Sequence, residues 1–172
     1  MRLPPEISRA EQLEFARRIA LRLLDARSRS EAELRSRLAS RGVPEDVSEE
    51  LMERFREVGL LDDAAFADAL TQTRVQVDRH GVTRIRAELR RRGVDEDVAA
   101  EALSRVGQEE QLEAARAFAQ RRARTLAGLD SRVARRRLAG ALGRRGFGGA
   151  VVSLVVDEVL GEVDPDTDDM PL

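Results

Sequence analysis

Few side chains in this 172-residue chain could carry out chemistry, and most of them lack the partners that catalysis requires. His80 is the single histidine and there is no cysteine. An imidazole beside Gly81, read as a solvent-exposed turn residue, offers neither a metal ligand set nor a nucleophile–base pair. Asp62-Asp63 are adjacent carboxylates, but they precede a helical pattern, where acids answer the open amides and positive end of a helix start. A Walker-type phosphate loop needs lysine, and all 30 basic residues here are arginine. No catalytic residue, metal ligand or cofactor is therefore expected, and any influence on nucleotide hydrolysis has to act through a partner. What remains is arginine, whose planar fork holds carboxylate or phosphate bidentately and so suits binding.

Arginine abundance by itself says little, because lysine, asparagine and tyrosine are all absent, as a GC-rich coding sequence would impose. Distribution says more. From Glu113 to Arg145, ten arginines (116, 121, 122, 124, 132, 135, 136, 137, 144 and 145) stand against Glu113 and Asp130, a local net of +8. Seven acids and no base occupy Asp157 to Leu172. The overall charge of −2 hides a basic region followed by an acidic end. The lack of cysteine excludes disulfides and agrees with a reducing compartment. No early segment reads as a signal peptide and no stretch approaches the roughly 20 apolar residues of a membrane span, so a soluble, cytoplasmic protein is expected.

The elements that must position these arginines form an internal repeat. In the stretch Thr83 to Val94, Ile85, Leu89, Gly93, Val94 and Val98 place apolar residues on one helical face, stop the helix at glycine and restart on another. Moving back 51 residues gives Leu34, Leu38, Gly42, Val43 and Val47, and moving forward 53 gives Leu138, Leu142, Gly146, Phe147 and Val151. In all three copies an arginine (Arg41, Arg92, Arg145) precedes the glycine. Phe15, Phe66 and Phe118 align upstream in a chain with only five phenylalanines. Each copy reads as three helices of about fifty residues in all, a period typical of repeat architectures. The expected layout is a flexible leader over 1–9, repeats over 10–59, 60–107 and 108–161, and an acidic disordered tail over 162–172. Units this small are expected to share buried surface with their neighbours.

Within the repeats, Phe15, Ile19, Leu23 and Leu24 form an apolar stripe, and Ser30-x-x-Glu33 is a capping box. Pro44 suits the first turn of the next helix. The run VVSLVV from Val151 is expected to be well buried.

These residues resemble the RecX family, bacterial regulators of the RecA recombinase. The resemblance rests on Ser30-Glu31-Ala32-Glu33-Leu34-Arg35, on Gly59-Leu60-Leu61-Asp62-Asp63 with Phe66-Ala67, on Arg84-Ile85-Arg86-Ala87-Glu88-Leu89 with Arg92-Gly93-Val94, and on Arg144-Arg145-Gly146-Phe147. It implies an all-α fold of three tandem three-helix repeats in an elongated, curved body. It also implies a protein that binds RecA and RecA–DNA filaments and mostly inhibits recombinase and ATPase activity, regulating recombination and DNA repair. Single- or double-stranded DNA is a weaker partner by itself. The protein is expected to be a monomer, and its acidic tail to compete with DNA for the basic repeat. The alternative is a helix-turn-helix-like DNA-binding transcriptional or nucleoid protein. Against it, the chain has no asparagine and no glutamine in the second helix of any repeat to read base edges.

At 100° per residue from the first core residue of the second helix, Arg84 falls at about 260° and Arg91 at about 240°, away from the core stripe. Arg137 and Arg144 are their counterparts in the third repeat, whereas the first has Glu33 and Ser40. These four arginines are the leading candidates to engage acidic RecA surface, DNA phosphate or both. Arg86, Arg90, Arg136, Arg92 and Arg145 complete the candidate set. For Arg92 and Arg145 a second reading stands, that of a cation stabilising a helix end by about 0.3–1 kcal/mol. The aligned phenylalanines read as core rather than as base-stacking platforms.

Overall fold

The computed structural model describes residues 2–4 and 6–161, and every regular element among them is helical. The first repeat is α1 (Arg9–Ala26), α2 (Glu31–Ala39) and α3 (Glu45–Glu57). The second is α4 (Asp63–Gln76), α5 (Val82–Arg91) and α6 (Glu96–Ser104). The third is α7 (Gln108–Ala123), a short 3-10 turn (Arg124–Leu126), α8 (Ser131–Arg144) and α9 (Gly149–Leu160). The all-α, three-repeat fold expected from the sequence is the one the chain adopts.

Local chemistry sets where the helices begin. Ser8 with Glu11 opens α1 and Ser30 with Glu33 opens α2, each pair exchanging side-chain and backbone hydrogen bonds as a capping box. Asp130 accepts the Val133 N–H at the start of α8. The core positions read from the repeat close the structure: Leu34, Leu38, Ile85, Leu89, Leu138 and Leu142 are each 0% exposed. Burial of side chains of this size contributes roughly 1.5–3 kcal/mol apiece. The last helix departs from expectation. Val155 and Val156 are buried but Leu154 is 45% exposed, because only one face of α9 packs on α7 and α8 and an apolar run that circles a helix cannot all fit there.

The helices gather into two compact units, and the division falls inside the middle repeat. One unit holds the chain up to Leu70 together with Glu88–Ala102; the other holds Thr71–Ala87 together with the chain from Leu103 onward. Within the first unit, the Ser30 hydroxyl donates to the carbonyl of Arg92. Gly93, at φ +74°, lies so close to Ala32 that a Cβ there would sit 2.3 Å from the alanine's own. Within the second unit, the Gly81 N–H donates to the carbonyl of Arg145 at 2.9 Å and the Thr83 N–H to that of Gly146 at 3.3 Å. Ser30 and Gly81 are the same repeat position 51 residues apart, and Arg92 and Arg145 are likewise equivalent, 53 apart. One joint is therefore built twice: the arginine-glycine turn of one repeat seats on the opening of the preceding repeat's second helix. This joint explains the division, since the middle repeat contributes its turn to one unit and its helix opening to the other.

The first repeat has its own version. The Arg41 carbonyl accepts the Leu3 N–H at 2.8 Å, and Leu3 lies half-buried against Gly42. The leader expected to be flexible through residue 9 is thus held at Leu3 and again at the Ser8 cap, because a turn carbonyl left open by the repeat pattern is answered by whichever donor reaches it. The tail expected over 162–172 lies outside the described residues.

Gly146 and Gly128 separate the joint from mere backbone conformation. Both have left-handed φ, +87° and +85°, but a Cβ on Gly146 would lie 2.4 Å from the Arg84 nitrogen, whereas nothing lies within 4 Å at Gly128. Gly128→Ala is expected to lose about 1 kcal/mol of unfolding free energy from backbone strain. Gly146→Ala should lose about 3 kcal/mol or more as the joint is forced apart. Urea unfolding of the two variants measures the difference, and equal losses would contradict the joint.

Candidate functional site

The structure sorts the candidate arginines into two groups. Arg92 and Arg145 belong to the joints. Arg92 is 23% exposed at its side chain, pairs with Glu88 at 2.8 Å and Glu33 at 3.5 Å, and stands 5.9 Å over the ring of Phe66. Arg145 donates to the Asp78 carbonyl and lies 4.5 Å over the ring of Phe118. Each joint arginine thus rests on the aligned phenylalanine of its own repeat, an attraction worth about 0.5–2 kcal/mol depending on desolvation.

The difference between the two joints explains where the free charge goes. Glu33 and Arg84 are the same repeat position. In the first unit Glu33 takes Arg92 and also Arg27, at 2.9 Å. Burial works against its ionisation, but the two arginines outweigh burial and hold its carboxyl below the usual 4.5. In the second unit Arg84 stands in that place, so Arg145 finds no carboxylate there and turns to a carbonyl and a ring. Arg84 itself donates to the Arg144 carbonyl at 3.3 Å, which sets it beside the end of α8.

Arg84 and Arg144 are therefore brought together, both exposed. Arg91 lies two turns further along α5, about 10 Å by helical rise, and Arg137 two turns before Arg144 on α8. Arg91, Arg137, Arg90 and Arg136 are exposed, and their side chains make no hydrogen bond or ion pair among the described residues. Arg86 is exposed and engaged in an interaction of its own. Elsewhere in the basic run, Arg116 is answered by Glu109 and Glu158, and Arg135 by Asp157.

The remaining candidates for chemistry are structural. Asp62 accepts the Ala65 N–H at 2.9 Å and caps α4, whereas Asp63 accepts the Glu31 N–H at 2.9 Å and so caps α2 instead. His80 corrects the expectation of an exposed turn residue: it is half-buried, and its Nδ1 is buried without a partner among the described residues. Burial, reinforced by Arg84 and Arg145, pushes its imidazole below the ordinary 6.5. Phe15 and Phe66 are buried, as core residues should be, while Phe118 stays half-buried beneath Arg145.

Sequence reasoning missed one feature. In the second unit, Val77, Asp78, Arg79, Phe118, Arg121, Arg122, Thr125 and Arg145 line an open concavity of about 430 Å³. Arg121 and Arg122 were visible in the basic run, but Arg79 lies more than forty residues away in a loop, and only the fold brings it to them.

Three family models cover these helices in order: the first three-helix domain of RecX over residues 16–55, the second over 62–103 and the third over 108–156. The chain belongs to the RecX family. The regulatory protein RecX of Amycolatopsis mediterranei is 37% identical over 160 residues, covering 93% of this chain and 89% of that one. That of Mycobacterium avium is 40% identical over 162 residues, covering 93% and 91%. A crystal structure of RecX from Lactobacillus salivarius matches with a TM-score of 0.80 at 21% identity, over 87% of this chain and 97% of that one, which shows the shared fold. A second crystal structure of a regulatory protein RecX also matches at 0.80, with 27% identity over 86% and 74%. The RecX family is one of regulatory proteins, and among the described residues of this member no helix is long and apolar enough to cross a membrane.

If Arg92 is a joint residue and Arg91 a free one, neighbours in sequence should differ in what they hold. Arg92→Ala is expected to cost about 1–2 kcal/mol, because the cation is lost from over the Phe66 ring and from beside Glu88 and Glu33. Arg91→Ala should stay within about 0.5 kcal/mol of the parent. Thermal and urea unfolding of the two variants compare them directly.

Proposed function

We propose that this protein binds the RecA recombinase and its filaments on DNA and restrains their recombinase and ATPase activity. The contacting arginines in this reading are Arg84, Arg137 and Arg144, flanked by Arg86 and Arg136, in the second unit, and Arg91, flanked by Arg90, in the first. The observation that carries the reading is the match to all three RecX domains together with Arg90, Arg91, Arg136 and Arg137, exposed arginines whose side chains make no hydrogen bond or ion pair among the described residues. Exposed arginines at helical spacing can meet carboxylate or phosphate with both fork nitrogens. Arg92 and Arg145 act in this reading through the joints that they hold.

A binder shifts a filament only through differing affinity for its states. Restraint therefore means tighter binding to an inactive, shortened or disassembling form. DNA by itself is the weaker partner, and a monomer is the working unit.

RecA-dependent ATP hydrolysis on single-stranded DNA, titrated with the protein and with the variant Arg84→Ala, Arg91→Ala, Arg137→Ala, Arg144→Ala, tests both parts. The parent is expected to suppress hydrolysis and the folded quadruple variant to need at least tenfold more protein for the same effect. Equal suppression would remove the proposed face. No suppression, accompanied by base-selective duplex binding, would favour a DNA-binding transcriptional or nucleoid protein.

A further inference from the structure

The concavity at the C-terminal end of α7 is separate from the face just described and has its own chemistry. Its cations come from three different places in the chain: Arg79 from the loop after α4, Arg121 and Arg122 from α7, and Arg145 from the end of α8. The one acid in the lining, Asp78, is already paired with Arg74 at 2.6 Å, so it does not neutralise the group. Arg79 is held at a φ of +54°, and its Nε is buried with no hydrogen-bond partner among the described residues. A buried guanidinium nitrogen without an acceptor is costly, and its cost falls when an anion enters. Arg121 uses its Nε on the Ala117 carbonyl at 3.2 Å, which fixes the base of the side chain and leaves the other two nitrogens at its tip.

We propose that this concavity is a phosphate-binding site, taking a phosphate carried either in a nucleic-acid backbone or on a free nucleotide. Cations converging from three directions suit a tetrahedral anion with several acceptor oxygens better than a planar carboxylate with two. The volume of about 430 Å³ exceeds that of a lone phosphate. The space beyond the arginines adjoins Val77, which is 72% exposed and offers an apolar surface to the sugar that such a phosphate carries. The biological use of the site rests on the reading that DNA within a RecA filament is among the ligands; its occupation by phosphate does not.

The test needs no RecA, so its failure and the failure of the regulatory reading are distinguishable. Fluorescence anisotropy follows a labelled 15-nucleotide oligothymidylate binding to the full chain at low salt, with pyrophosphate as competitor at matched ionic strength. The variants are Arg121→Gln with Arg122→Gln, both exposed and so not expected to affect folding, and Arg79→Gln. The control, Arg18→Gln with Arg22→Gln, removes the same charge from exposed positions on α1. The paired α7 variant is expected to bind the oligonucleotide at least tenfold more weakly than the control. Its salt slope should be shallower by about 0.7 for each phosphate that the variant no longer neutralises. Displacement by pyrophosphate assigns the site to free phosphate as well, and loss of oligonucleotide binding without such displacement assigns it to the backbone alone. The proposal is overturned if the parent binds neither probe, if the α7 variant falls no further than the control, or if an oligoaspartate peptide displaces the oligonucleotide as well as pyrophosphate does.

Discussion

The structure depends on a carbonyl that its own helix cannot satisfy. Where each second helix ends in arginine-glycine, the left-handed glycine turns the chain away and leaves the arginine carbonyl pointing outward. Three different donors meet that carbonyl: the Leu3 N–H, the Ser30 hydroxyl and the Gly81 N–H. The donors differ in type but the acceptor does not, so the acceptor is the fixed part of the design. Close packing follows from it, since the glycines on the two sides approach to distances that admit no Cβ at Gly81 or Gly146.

This joint also decides what each arginine can do. An arginine placed beside the glycine is drawn into the joint, onto a phenylalanine ring and a neighbouring acceptor. Arg90, Arg91, Arg136 and Arg137, exposed on the outer face, have no such partner among the described residues. The exchange of Glu33 in the first repeat for Arg84 in the second changes a closed ion-pair network into an open, repelling set of cations, and the basic face belongs to the later repeats for that reason. Electrostatic attraction by such a face acts mainly on encounter and orientation, and it weakens with salt. In the function proposed above, a highly charged nucleoprotein would be met by charge the fold has not consumed.

Much of this was legible in the sequence. The period near fifty, the leucine pairs and the aligned phenylalanines are local patterns, and Leu34, Leu38, Ile85, Leu89, Leu138 and Leu142 are buried where the pattern places them. The outward position of Arg84, Arg91, Arg137 and Arg144 followed from helical geometry alone. Other features were illegible because they depend on neighbours distant in sequence. Asp63 reads as a cap for the helix it begins, yet caps α2. His80 reads as exposed because nothing nearby in sequence covers it. The Arg79 cluster needs segments from α4, α7 and α8 to meet, and no spacing rule connects them. The hold on Leu3 was hidden by two prolines that made the leader look loose.

Repetition and function are linked here through a division of labour within a single residue type. Composition gave this chain arginine for every positive charge, so position alone separates the arginines that build the joints from those proposed to bind a partner. Native-state hydrogen exchange at the Gly81 amide tests that claim most directly, since this N–H is the donor to the Arg145 carbonyl in the second unit. A joint that holds the fold makes this exchange as slow as that of the buried Ile85 and Leu142 amides, opening only with the whole unit. Exchange at the rate of an exposed loop amide, such as that of Gly128, would show that the joint does not hold the fold and would contradict the account.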